Sequence, residues 1–382
     1  MEMTSPQVVG IPTEIKSDEG RVSLTPDGVI ELRGHDVEVV VEAGAGGAAS
    51  ITDEEYAEAG ATVVPAAAEV WERATIICKV KEPNGPELDY LRPGLVLFTY
   101  LHLAGYPKVA DVLLESGTTA VAYETVESAK GGLPLLAPMS EIAGRMSVQI
   151  GARFLERPSG GRGVLLGGAP GVKPGTVVVI GAGNVGWNAA WMASGLEAHV
   201  SLLDRDVDRL RFLDQIARGR VTTLTSNRGQ VERAVSEADL VIGAVLVAGG
   251  RAPVVVDEDL VRAMKPGSVI VDIAIDQGGC IATSHETTHK DPVFERHGVL
   301  HYAVGNMPGA VPNTSTYALT NVTLPYLVSM ARHGLPEAAR RDPGLAKGIN
   351  VMDGAVTNAA VAEALGHDHR PVTEALDAAS SA

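Results

Sequence analysis

The sequence predicts a parallel α/β protein, and three observations carry that expectation. Short apolar segments alternate with helical patterns along nearly the whole chain. Glycine is abundant, at 43 of 382 residues, whereas aromatic residues make up only 4%, a balance that favours tight turns and aliphatic strands. One strand, TVVVI, runs directly into a glycine-rich turn and then a helix. The length suits two domains of ordinary size.

Taken in order, residues 7–11, 36–41, 75–80, 95–100 and 118–123 read as strands, and residues 26–33, 53–59 and 108–116 as helices between them. Residues 138–156 carry Ile142, Met146, Ile150 and Phe154 at a four-residue spacing, which places them on one helix face and makes this segment a candidate connection between two domains. Strands follow at 176–180, 199–203, 240–245, 268–274 and 299–304, then a helix over 314–333 interrupted at Pro325, and a last helix over 355–365. The tail after Gly366 is small and polar and is expected to be loosely held.

Charge excludes some functions. With 31 basic and 47 acidic residues the formal net charge is −16, and no basic run concentrates cations, so a nucleic-acid partner is not expected. The charge-free run over residues 297–331 contains Pro308, Pro312, Pro325 and many Asn, Ser and Thr, so it does not read as a membrane span. The N-terminus lacks the pattern of an export signal, and Cys78 and Cys280 read as reduced core residues, so the cytoplasm is the expected compartment. His285 and His289, His297 and His301, and His367 and His369 are spaced like metal ligands, but no Cys or carboxylate cluster completes a set and no metal is expected.

Gly181, Gly183 and Gly186 form GxGxxG between the strand over 176–180 and a helix. Gly181 permits the tight turn, Gly183 lets the backbone approach a pyrophosphate, and Gly186 lets helix and strand pack closely. The helix start supplies free N–H groups and partial positive charge. The next strand ends in Asp204, at the spacing of a carboxylate that accepts from the adenosine ribose hydroxyls. Asp204 would repel a 2′-phosphate, which favours NAD over NADP, while the adjacent Arg205 could soften that preference.

Four ionisable residues stand in apolar places near strand ends. Lys81 follows the strand in TIICKVKEP, His102 is alone in LVLFTYLHLAGY, Asp276 follows Asp272 in SVIVDIAIDQGG, and Arg21 lies on the loop after the first strand. Each has a plainer reading: a satisfied core histidine, solvated cations, a turn cap. Their shared placement at C-terminal strand ends, where open parallel sheets bind ligands, favours function.

The segments GIPTEIK with RVSLTP, CKVKEP, FTYLHLA, AYETV, LPLLAPMSEIAGRM, GGRGVLLGG, VVVIGAGNVG, ADLVIGAVL, MKPGSVIVDIAIDQGGC and GNMPGAVPNTSTYALTN occur in this order from about residue 7 to 365. In this the chain resembles the alanine dehydrogenases, a family related to the NAD-binding subunit of the proton-translocating transhydrogenase. The resemblance implies two Rossmann-like doubly wound parallel-sheet domains. A substrate domain over 1–136 and 307–382 is interrupted by an NAD domain over 137–306. It implies that Arg21 binds the substrate carboxylate, Lys81 contacts the oxo acid, His102 is the catalytic histidine and Asp276 the acid beside the nicotinamide. Ser140, Gly181, Gly183, Asn184, Val185, Gly186, Asp204, Asp276, Asn306 and Met307 would line NAD. A homo-oligomer, usually a hexamer, is implied as well. Gly305 stands where the family pattern leads one to expect alanine, and SHETTH replaces a more usual SRPTTH; that loop is expected to face solvent or a neighbouring subunit.

The implied reaction is reversible oxidative deamination of L-alanine to pyruvate and ammonia. A nucleotide-binding subunit without chemistry of its own is the alternative from another class. Dehydrogenases of glycine or glyoxylate, serine or 2-aminobutyrate are alternatives within the same chemistry, because one methylene is worth only about 1–3 kcal/mol of discrimination. A lysine or saccharopine-type enzyme would need room for a second charged arm.

Overall fold

A computed structural model describes residues 7–245 and 252–379. Leu246, the last residue of the ADLVIGAVL segment, lies outside them. The chain divides into two compact units, Met1–Pro138 with Gly309–Ala382, and Met139–Pro308.

The first unit opens with β1 (Val8–Ile11), α1 (Pro26–Arg33), β2 (Glu38–Glu42), α2 (Asp53–Glu58), β3 (Thr62–Val64), α3 (Ala67–Arg73), β4 (Ile76–Cys78), β5 (Val96–Thr99), α4 (Pro107–Ser116) and β6 (Thr119–Ala122). Helix starts are written locally: Thr25 caps α1 ahead of Pro26, and Thr52 with Glu55 forms a capping box on α2. Helix α5 (Ala137–Leu155) carries the chain into the second unit.

That unit contains β7 (Thr176–Ile180), α6 (Asn184–Gly195), β8 (His199–Asp204), α7 (Val207–Ala217), β9 (Thr222–Thr225), α8 (Arg228–Ser236), β10 (Leu240–Gly243), α9 (Glu258–Ala263), β11 (Val269–Asp272), β12 (Val293–Arg296) and β13 (Val299–Tyr302). The chain then returns to the first unit through α10 (Pro312–His333), α11 (Leu335–Arg341), α12 (Pro343–Gly348), β14 (Ile349–Met352), β15 (Ala355–Val356), α13 (Ala359–Leu365) and α14 (Val372–Ala379).

The first sheet runs β15-β14-β6-β5-β4-β1-β2-β3 and the second β12-β13-β11-β10-β7-β8-β9. Both are doubly wound, as expected. Successive strands leave β1 in one direction and resume beside it with β4; in the second sheet the same reversal falls between β7 and β10. Crevices at the C-terminal ends of such strand pairs are where open α/β sheets bind ligands. Strand β7 is buried on both faces: Val177 and Val179 enter one core, Val178 and Ile180 the other.

The sheets are predominantly parallel, with β14, β15 and β12 joining antiparallel at the edges. Three expectations need correction. Helix α10 continues through Pro325; the ring removes one backbone hydrogen bond, but buried Leu319, Thr323, Leu327 and Met330 keep the helix packed. The tail is anchored: α14 buries Ala375 and Leu376, and Arg340 Nη2 donates to the Leu376 carbonyl at 2.7 Å. Residues 355 and 356 are strand β15, so the helix expected over 355–365 begins only at Ala359.

Candidate active site

The reversal in the first sheet gathers Arg21, after β1, and Lys81, after β4. Arg21 is 2% exposed, and Glu19 grips it as a fork: Nε donates to Oε1 at 2.7 Å while Nη2 pairs with Oε2. Burial opposes charge on both groups, yet their mutual hydrogen bonds and attraction hold the Glu19 carboxyl below its ordinary range and the guanidinium above its own. The far end of the chain shapes this loop too, since Thr316 on α10 accepts the Val22 N–H at 3.1 Å.

Lys81 differs from its neighbour Lys79. Lys79 is fully buried and held by Glu14 at 3.1 Å and Glu87 at 2.6 Å. Glu14 also accepts the Val80 N–H at 2.6 Å, which fixes the backbone just before Lys81. The Lys81 ammonium makes no ion pair among the described residues, and burial followed by the charge of Arg21 pushes it below the ordinary lysine range. Two cations close together, one without an ion pair among the described residues, are chemically suited to receive a small anion.

His102 follows β5 in the left-handed conformation, at φ 47°, with its side chain 45% exposed. Its ring stacks on Tyr100 at 5.8 Å between centroids, and the Arg21 charge acts on that same tyrosine. Glu124, after β6, accepts the His102 N–H at 2.6 Å and the Leu101 N–H at 3.2 Å. Arg21, Lys81 and His102 thus occupy neighbouring strand ends of one sheet.

In the second unit the turn after β7 has the predicted form. Gly181 has φ 101°, and a Cβ on it would stand 2.5 Å from the Ala244 carbonyl oxygen. A Cβ on Gly186 would stand 1.7 Å from the Gly181 carbonyl oxygen, whereas around Gly183 there is open space. The N-terminus of α6, with Asn184 and Val185, opens beside that space. Ser140 lies on α5, whose Gly144 approaches the Val185 carbonyl so closely that a Cβ would be 2.2 Å from it. Asp204 accepts the Ala182 N–H at 2.6 Å, and the cation near it is Arg209, at 3.6 Å, in place of the Arg205 suggested by adjacency. A cradle open only where a pyrophosphate must approach, with a carboxylate at the next strand end, suits a dinucleotide.

Asp276 sits on the short 3₁₀ turn Ile273–Gln277 after β11. A Cβ on Gly305 would lie 2.9 Å from Asp276 Oδ1, so Asp276 adjoins the segment of Asn306 and Met307. Asn306 has φ 55°, and Met307 is buried at 3% exposure in the core of this unit. Asp272 is structural: its buried carboxylate accepts the N–H groups of Cys280 and Ile281, each at 3.2 Å.

With this geometry in hand, comparison with known proteins decides the family. The chain matches the alanine dehydrogenase/PNT N-terminal domain over residues 10–143 and the alanine dehydrogenase/PNT C-terminal domain over 147–359. The chain belongs to the alanine dehydrogenase/PNT family. It is 54% identical to an alanine dehydrogenase of Mycolicibacterium smegmatis over 94% of this chain and 96% of that one. To the alanine dehydrogenase of Bacillus subtilis it is 52% identical over 98% and 99%. A solved L-alanine dehydrogenase structure superposes with a TM-score of 0.92 at 52% identity, covering 94% of this chain and 99% of that chain. A transhydrogenase from Sinorhizobium meliloti reaches a TM-score of 0.79 at 26% identity, over 93% and 100%.

Within this alanine dehydrogenase/PNT chain, the residues that sequence reading missed are the carboxylates behind the candidate groups: Glu19, Glu14, Glu87 and Glu124. Glu14 and Glu124 lie inside GIPTEIK and AYETV, and an acidic residue within three positions of the end of a buried strand was the available signal. Among the described residues no group of three or more His, Cys, Asp or Glu is arranged to hold a metal ion, and no helix is long and apolar enough to cross a membrane. Both cysteines are free and buried.

Proposed function

We propose that this chain catalyses the reversible oxidative deamination of L-alanine, in which alanine, NAD and water give pyruvate, ammonia and NADH with release of a proton. The observation behind this reading is near-full-length identity above 50% to alanine dehydrogenases; a buried Arg21, and a Lys81 with no ion pair among the described residues, at the reversal of the first sheet fit it.

NAD, when bound, accepts the hydride from the amino-acid Cα. Gly181, Gly183, Asn184, Val185 and Gly186 would hold its pyrophosphate through backbone groups, Asp204 its adenosine ribose, and Ser140, Asn306 and Met307 would line the rest. Arg21 would bind the substrate carboxylate, with its planar fork already aligned by Glu19. Lys81 would polarise the carbonyl oxygen of pyruvate and the developing oxygen of the carbinolamine. His102 would take a proton from the attacking water and return it as the carbinolamine collapses. Asp276 would accept from the amine or ammonia and orient it. A substrate domain over 1–136 and 307–382 and an NAD domain over 137–306 follow from this division of labour.

The family resemblance also supports a cytoplasmic homo-oligomer, a hexamer, which light scattering tests by reading six chains per particle. The activity itself is tested by following NADH oxidation with ammonium and a panel of 2-oxo acids. Pyruvate is expected to give the highest kcat/KM. A higher value for glyoxylate, hydroxypyruvate or 2-oxobutyrate would reassign the substrate, and no turnover with any of them would remove the dehydrogenase reading.

A further inference from the structure

Asp276 has a charged companion that the reaction scheme leaves unused. A Cβ on Gly305 would lie 2.6 Å from Glu286 Oε1 and 2.9 Å from Asp276 Oδ1. The two carboxylates therefore approach the same point, in the space that any side chain at 305 would fill. Gly305 does not adopt the left-handed conformation, so the backbone does not require glycine there; what its absent side chain provides is room.

Among the described residues no cation pairs with Glu286. Glu286 is exposed and makes no hydrogen bond or ion pair among the described residues. The other ionisable groups nearby in this unit are turned to different tasks. Asp272 accepts from Cys280 and Ile281, His289 Nε2 lies 3.4 Å from the Asn306 carbonyl oxygen, and the His285 ring stacks on Phe294 at 3.7 Å. Lys290 and Asp291 are exposed in the following turn.

We propose that Glu286, admitted by Gly305, is a second carboxylate that acts through Asp276 and sets the pH range in which Asp276 is ionised; this rests on the role given to Asp276 above. A like charge at this separation disfavours the ionised form of its neighbour. With partial solvent screening the effect is about half to one pH unit. An ionised Asp276 accepts from the amine or ammonia, so activity falls as pH drops through its pKa, and Glu286 places that fall at higher pH.

The test is the pH profile of kcat/KM for pyruvate, measured on the full chain with NADH at fixed free ammonia. In Glu286→Gln the acid limb is expected to move to lower pH by about half to one unit, and in Glu286→Lys further in the same direction. Gly305→Ala, whose methyl would stand between Glu286 Oε1 at 2.6 Å and Asp276 Oδ1 at 2.9 Å, pushes the two carboxylates apart and is expected to move it the same way. High salt should shrink the difference between wild type and Glu286→Gln. An acid limb that stays in place in both Glu286→Gln and Gly305→Ala overturns the proposal, as does a uniform loss at every pH, which marks mere structural damage. Asp276→Asn separates the two layers: wild-type activity there removes the role of Asp276 itself, whereas an inactive Asp276→Asn with an unmoved limb in Glu286→Gln removes only the role of Glu286.

Discussion

The backbone N–H of His102 donates to Glu124 Oε1 at 2.6 Å, and that oxygen lies 3.9 Å from His102 Nδ1. One carboxylate thus holds a left-handed turn and faces the ring the turn presents. Glu124→Ala is expected to lower kcat by about 10²-fold, the scale of a misplaced catalytic group, and Glu124→Gln by less, because an acceptor for the turn remains. His102→Ala should lose about 10²–10⁴-fold. NADH binding, read by fluorescence, should persist in all three. Near-normal turnover in His102→Ala would end its assignment as acid and base.

The glycines of the phosphate turn should separate into stability and binding. In Gly186→Ala the new methyl meets the Gly181 carbonyl oxygen at 1.7 Å, so backbone must move; a cost of about 1–3 kcal/mol or more is expected, visible as a lower Tm. In Gly183→Ala the methyl enters open space, so Tm should hold while NADH affinity falls. Equal Tm losses in the two variants would contradict this division.

Asp204 both accepts the Ala182 N–H and closes β8. Asp204→Ala should reduce the preference for NAD over NADP at least about tenfold, equivalent to about 1.4 kcal/mol. Arg209, already 3.6 Å from Asp204, is the cation best placed to meet a 2′-phosphate. Ratios of kcat/KM for the two cofactors decide the matter, and an unchanged ratio would exclude Asp204 from ribose recognition.

His301 supplies a pH dependence of stability. Its ring is fully buried between Thr283 Oγ1 at 2.7 Å and the Val299 carbonyl at 3.0 Å, and burial lowers its pKa from 6.5 to about 4. Between these two values the unfolded chain binds a proton that the folded chain does not, so stability falls as pH drops, by up to about 1.4 kcal/mol per unit. Below about 4 both states are protonated and this contribution levels off. His301→Gln should flatten the dependence of Tm on pH between 6.5 and 4; an unaltered slope would assign the effect elsewhere.

The sequence alone determined the local units. The strand, glycine turn and helix over Thr176–Gly195, and the carboxylate at the end of β8, were legible because periodicity, turn chemistry and spacing act over short stretches of chain. Arg21, Lys81 and His102 were legible as charged or polar residues at the ends of apolar strands. Tertiary structure alone decided what stands behind them. Glu14 reaches Val80 across 66 residues and Glu124 reaches His102 across 22, and neither contact exists until β1, β4, β5 and β6 take their order in the sheet. The antiparallel edge strands and the anchored tail were hidden for the same reason: edge pairing and the burial of Leu376 depend on which surface the folded sheet leaves uncovered. Gly305 reads in sequence as one more glycine, and only the fold brings Glu286 and Asp276 to the space its missing side chain leaves.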